Sequence, residues 1–189
     1  MKTPLHADIL VIDVETTGLD PARHACIELG AVLLDRELNP VAEFSSLVAP
    51  WDSAEIMSEA LAVNQINPAA LKSAPQVPEV VDRFHQAFRP DSRKLLLCGW
   101  NVWLDVAFLK GLYARANCAW PFGHRLLDIQ SVVTFHSQLM PKSQADTIKR
   151  FLNDEQSHRA LPDARQTAAL LRLFAQQQYE PHSGNIMRL

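Results

Sequence analysis

The chain has 189 residues, 48% of them hydrophobic and 21% charged, the balance of an ordinary globular protein with a sizeable core. Its net charge of −3 excludes a protein that coats polyanions through bulk positive charge, although a local basic groove beside an acidic site is compatible with it. Three scattered cysteines, Cys26, Cys98 and Cys118, form no CxxC pair, which argues against a disulfide framework or a thiolate metal cluster and points to a reducing cytoplasm.

Asp8–Val14 is a nearly unbroken Ile/Val-rich run, too short and too interrupted by acids to span a membrane. It reads as a central strand covered on both faces and ends in the turn cluster Thr16–Pro21. Cys26–Leu34 and Val41–Val48 read as two further strands around a hairpin at Arg36–Pro40. Pro50–Pro78 holds four of the twelve prolines and short helical pieces such as Ala69–Ser73, an ordered excursion within one domain. A helix over Glu79–Phe88, a buried strand over Leu95–Cys98 and a helix over Val102–Ala116 follow, the last with Asn101 as its expected cap. A brief strand at Arg125–Asp128 precedes helices at Ile129–Leu139, Gln144–Leu152 and about Ala160–Gln178. Antiparallel strands first, then strands alternating with helices, predict an α/β fold: a mixed sheet flanked by helices. One domain is expected over residues 1–178, with a loosely held tail at 179–189.

Four carboxylates stand where they cost energy. Asp13 and Glu15, two apart at a strand end, project from one face. Asp105 shares its helix face with the apolar Phe108, Leu109 and Leu112, and with Asn101 one turn back. Asp163 heads a stripe of Thr167, Leu170, Leu171 and Phe174. Buried acids need partners; the alternatives are a buried ion pair or a hydrogen bond to neighbouring backbone for Asp105 and a helix-dipole acid, suited by Pro162, for Asp163. If the strand end and two helix starts meet, the acids repel by about 4 kcal/mol per pair at about 4 Å and an effective dielectric near 20. Hard divalent cations, Mg²⁺ or Mn²⁺, suit such an oxygen-only donor set. Two of them stabilise both the attacking and leaving oxygens of phosphodiester hydrolysis. His158, in a polar approach to the last helix, suits a mobile loop carrying a general base.

These residues resemble a known family. Asp13-Val14-Glu15-Thr16-Thr17-Gly18 is similar to the first motif, DxETTG, of the DEDD exonucleases. Asn101–Asp105 resembles the second, HNxxFD, with Trp100 and Leu104 in place of the usual His and Phe. His158–Asp163 matches HxAxxD, which marks the DEDDh branch. The resemblance runs from about Ala7 to Phe174 and implies a ribonuclease H-like fold, with the first three strands antiparallel and the rest parallel. It implies 3′→5′ exonuclease activity with two divalent metal ions. Asp13, Glu15 and Asp163 would bind the first ion; Asp13, with Asp105 through water, would hold the second; His158 would deprotonate the attacking water. The terminal nucleotide would lie against Thr16, Thr17, Gly18 and Leu19, with Glu15 near its 3′ hydroxyl and Asn101 and Leu104 nearby. The expected partners are 3′ ends of single-stranded DNA, slightly favoured, or RNA, with a DNA polymerase or a second copy of the chain as a further partner and no membrane. An RNA-processing exonuclease of the ribonuclease T or oligoribonuclease type is the main alternative, and a non-catalytic binding domain on the same scaffold is disfavoured because all five site residues are present. Trp100 and Trp103 are candidate stacking platforms, with burial the expected role of Trp103. Of Arg23, Lys142, Lys149, Arg150, Arg159 and Arg165, the pair Arg159 and Arg165 is best placed to line a strand-binding groove.

Overall fold

A computed structural model describes residues 5–138 and 140–176. The expected tail, Leu139 and the last two residues of the expected final helix lie outside this range. Five strands form one sheet: β1 (Asp8–Thr16), β2 (Cys26–Leu34), β3 (Pro40–Leu47), β4 (Leu95–Gly99) and β5 (Leu126–Asp128), in the order β3-β2-β1-β4-β5. β1–β2 and β2–β3 are antiparallel, β1–β4 and β4–β5 parallel, as the early hairpins and later strand–helix alternation predict. Seven helices among the described residues complete the chain: α1 (Ser58–Asn64), α2 (Pro68–Lys72), α3 (Val77–Phe88), α4 (Trp103–Arg115), α5 (Ile129–Ser137), α6 (Gln144–Leu152) and α7 (Ala160–Gln176).

The side-chain alternation of the central strands divides the core between two faces. Leu10 and Ile12 of β1 pack with α3 and α4 through Val80, Phe84, Phe108 and Leu109. Ile9 and Val11 face the other way, onto α5, α6 and α7 through Ile129, Ile148, Ala164 and Leu171. β2 is buried at every position, which is why its sequence reads as a continuous apolar run. A smaller cluster, Ala25, Ile27, Ile66 and Leu71, anchors the proline-rich excursion.

Two local features differ from expectation and shape the site. Asn101 does not cap α4: it takes a left-handed φ of 54°, and its amide donates to Asp128 Oδ1 at 2.8 Å, so it closes the β4 end onto β5 instead. Trp103 is 60% exposed, because it lies about 200° around α4 from Asp105 at 100° per residue and so on the outward face.

Gly30 sets how closely α7 meets the sheet. It pairs with Asp13 across β1–β2, and a Cβ there would lie 2.2 Å from the Ala160 carbonyl carbon and 2.3 Å from the Leu161 nitrogen. Those are backbone atoms and cannot swing aside. The missing side chain therefore lets the α7 start sit beside Asp13. Gly30→Ala is expected to destabilise the protein by about 1–3 kcal/mol, lowering the melting temperature by roughly 2–4 °C for each kcal/mol. Hydrolytic activity should fall with it, since α7 carries Asp163. An unchanged melting curve with unchanged turnover would contradict this packing.

Candidate active site

The ends of β1, the start of α4 and the start of α7 converge on one cleft of about 940 Å³, lined by Asp13, Glu15, Asp105, His158 and Asp163 among others. The strand pleat brings Asp13 and Glu15 to the same side. Asp105 (8% exposed) and Asp163 (1% exposed) head the buried faces of their helices, and the apolar residues behind them form the core as their spacing implies. Carboxylate oxygens of Asp13, Glu15 and Asp163 all lie within 4.8 Å of one another. Asp105 stands outside this tight group: its Oδ1 accepts from the Val14 amide at 3.1 Å, which holds it against the β1 backbone.

The electrostatics are those of a site made for cations. Burial, followed by repulsion from Asp105, Glu15, Asp163 and Glu28, raises the Asp13 carboxyl well above its ordinary range. Burial and repulsion from Asp163, Glu28 and Asp105 push Glu15 from 4.5 to about 8. Burial pushes Asp105 to about 8, against the opposing pull of the Val14 amide. Each ionised carboxyl disfavours the next, and the clustered ligand atoms are carboxylate oxygens, so hard divalent ions fit the residues present. Asp13, Glu15 and Asp163 would hold one.

Asp163 is oriented by its protein neighbours. Its Oδ1 accepts from the Ser157 amide (3.2 Å) and hydroxyl (2.9 Å), and its Oδ2 from Gln156 Nε2 at 2.9 Å. Gln156 Nε2 also donates to Gln144 Oε1 at 3.3 Å, and Gln144 to Thr167 Oγ1 at 3.2 Å. The segment before α7, expected to be a mobile loop, is thus pinned at two residues. His158 follows with a φ of 53°, a left-handed conformation that is sparsely populated for a side chain of this size.

The first-motif turn is stapled from below. The Thr17 hydroxyl, fully buried, donates to the Glu55 carbonyl at 2.6 Å and accepts from the Ala25 amide at 2.9 Å. The Thr17 side chain is therefore a fastener of the turn and is not among the groups lining the cleft. Thr16, Gly18 and Leu19 do line the cleft, Leu19 at 74% exposure. Trp100, Asn101 and Leu104 also line the cleft, as do Met57, Ala60, Val63 and Asn64.

Several residues that shape the site escaped the sequence reading. His24 packs its ring against Gly18, where a Cβ would come within 2.4 Å of it; the Asp20 amide donates to its Nδ1 at 3.0 Å, and it lines the cleft. Of the cations, Lys142 lines the cleft, whereas Arg165 is paired with Glu43, Arg23 with Glu55 and Arg159 with Glu28. Arg159 and Arg165, expected to line a groove, are each paired with a carboxylate more than 100 residues away in sequence.

A family model described as an exonuclease matches residues 10–171. The oligoribonuclease of Vibrio cholerae serotype O1 is 27% identical over 176 residues, covering 88% of this chain and 93% of that protein. The PolC-type DNA polymerase III of Thermotoga maritima is 29% identical over 171 residues, which are 90% of this chain and 12% of the polymerase. Among solved structures, exonuclease I of E. coli in complex with a 5cy-dT13 oligonucleotide superposes with a TM-score of 0.77 at 19% identity, covering 92% of this chain and 42% of exonuclease I. A 3′-exonuclease that recognises the histone mRNA stem-loop superposes at 0.72, with 19% identity, 89% of this chain and 63% of that one. This chain thus spans about two fifths of the exonuclease I chain.

Proposed function

The chain belongs to the exonuclease family as a 3′→5′ phosphodiester hydrolase of the DEDDh type with a ribonuclease H-like fold, and we propose that it releases nucleoside 5′-monophosphates stepwise from the 3′ end of single-stranded nucleic acid, DNA slightly preferred, using two divalent ions. The observation that carries this reading is the group of three carboxylates within 4.8 Å of one another, with Asp105 and His158 lining the same cleft. Asp13, Glu15 and Asp163 would hold one ion; Asp13, with Asp105 through water, would hold the other. When bound, such ions offset the negative charge that builds on the attacking and leaving oxygens of the scissile phosphodiester.

The chain's own residues do the rest. His158 accepts the proton of the attacking water, a role suited to an imidazole at neutral pH. Glu15 faces the terminal 3′ hydroxyl, and the turn at Thr16, Gly18 and Leu19 supports the terminal nucleoside. Leu104 and Trp100 give its base an apolar and aromatic wall, which tolerates any base because every base has a π face. Backbone and phosphate contacts position the strand without reading its sequence. The PolC-type relative supports a version in which the domain serves a DNA polymerase.

A second reading, hydrolysis of short RNA, is favoured by one observation: the oligoribonuclease relative is matched over 93% of its length. Parallel digestion of DNA and RNA oligonucleotides separates the two. Polarity is tested with a single strand carrying a 3′-terminal phosphoryl block. The blocked strand is expected to resist digestion while its unblocked twin is shortened. Rapid cutting of a circular single strand would overturn the exonuclease reading.

A further inference from the structure

Glu28 lies on β2 at 3% exposure, opposite Glu15 in the β1–β2 pairing. It is neither in the three-carboxylate group nor on the cleft wall, so the chemistry above leaves it without a task. Its oxygens are nonetheless fully engaged. Arg159 donates to it through Nε at 2.9 Å and Nη2 at 2.7 Å, and the Ala160 amide donates to Oε2 at 3.1 Å. A buried ion pair is weak evidence of stabilisation, because an apolar pair of similar volume often serves as well. What a two-pronged guanidinium–carboxylate contact does supply is a fixed angle.

That angle bears on His158. The residue before it, Ser157, is tied to Asp163 by amide and hydroxyl, and the two after it, Arg159 and Ala160, are tied to Glu28. Between these anchors His158 takes its left-handed φ of 53°. A single non-glycine residue persists there only when its surroundings over-determine it, and two carboxylates on opposite sides do so. Only one of the two belongs to the cation-holding group; Glu28 acts from outside it.

We propose that Glu28 is a positioning residue for His158, holding the imidazole-bearing turn through Arg159 and the Ala160 amide without touching cation or substrate. The inference rests on the reading of His158 as the general base. Its test compares the full chain with Glu28→Gln, Arg159→Lys, His158→Ala and the Glu28→Gln/His158→Ala pair, on a 5′-labelled single strand with Mn²⁺. Glu28→Gln is expected to lower kcat by about 10–100-fold, the usual cost of losing a partner that orients a working side chain. KM should not move, and the Mn²⁺ concentration for half-maximal rate should change far less than kcat, by no more than the loss of one nearby charge brings. The double variant should be no slower than His158→Ala alone, whereas a general loss of structure would slow both backgrounds. Arg159→Lys keeps the charge without the fork and should fall between the full chain and Glu28→Gln; should Glu28→Gln melt below assay temperature, it carries the same comparison. Independent, multiplying losses in the double variant, or a defect confined to KM or Mn²⁺ demand, would overturn the positioning role. If His158→Ala is slow while Glu28→Gln and Arg159→Lys are not, this role alone fails; if His158→Ala turns over at full rate, the general-base reading fails with it.

Discussion

Asp13→Asn is expected to remove hydrolytic activity, by about 10³-fold or more, while leaving the fold intact. The size follows from what the cations supply: charge neutralisation worth several kcal/mol in the transition state, at 1.36 kcal/mol per decade of rate. Asn keeps the volume of Asp and removes one charge from the place where burial and four neighbouring carboxylates most oppose it. The same substitution changes the response of stability to pH. Without divalent ions, a carboxyl whose folded pKa is raised contributes stability below its unfolded value and loses that contribution as pH rises through the folded one. With Glu15 raised from 4.5 to about 8 and Asp105 from 3.8 to about 8, the ion-free protein should melt progressively lower from about pH 4.5 to pH 8. Mn²⁺ should reverse this: at one hundred times Kd, binding adds about 2.7 kcal/mol, or roughly 5–10 °C at 2–4 °C per kcal/mol for a domain of this size. In Asp13→Asn the pH slope should flatten and the Mn²⁺ response shrink. Melting curves at pH 5 and pH 8, with and without Mn²⁺, check both; an unaltered Mn²⁺ response would mean that Asp13 holds no ion.

His158→Ala should slow hydrolysis by about 10²–10⁴-fold, the range for a positioned general base, and keep the full Mn²⁺ response, because the imidazole is not among the cation-holding groups. The left-handed φ of 53° at this position adds a complication that a second variant removes. Alanine pays roughly 1–2 kcal/mol in that conformation, so part of its loss could arise from the loop relaxing. Asparagine tolerates the conformation much better and lacks the proton-accepting ring. His158→Asn should therefore be as slow as His158→Ala and more stable. A loss of Mn²⁺ stabilisation in both would reassign His158 as a ligand.

Much of this arrangement was legible in the sequence, for reasons that can be named. Cys26–Leu34 and Gln144–Leu152 match the observed β2 and α6 end to end. β2 is buried on both faces and apolar at both ends, and Ser143 caps α6 with its hydroxyl on the Asp146 amide. Asp105 and Asp163 were visible as acids heading apolar stripes, a pattern that a 3.6-residue period exposes directly. The α4 period also contained the outward direction of Trp103, although an indole is more readily read as core.

What was hidden depends on distance in the chain. Glu28 is an acid in the middle of a wholly apolar strand, CIELGAVLL, and that was the available signal, but its partner Arg159 stands 131 residues away. Gly30 matters for the atoms it lets in, and those belong to α7. Asn101 followed the usual rule for a helix cap, yet the Asp128 carboxylate on the neighbouring strand claimed its amide. Thr17 shares a motif with Thr16, and only the approach of Glu55 turns its hydroxyl inward.

This acidic cleft, loaded with divalent ions, is expected to shorten single strands from the 3′ end. The direct measurement is a time course on a 5′-labelled single-stranded oligonucleotide with Mg²⁺ or Mn²⁺, with chelator, and with the Asp13→Asn variant. A ladder of 5′-labelled fragments that shortens one nucleotide at a time, accompanied by nucleoside 5′-monophosphates and abolished by chelator and by Asp13→Asn, is the predicted result. Release of the labelled 5′ nucleotide at the earliest times, or digestion that continues at full rate in chelator, would contradict it.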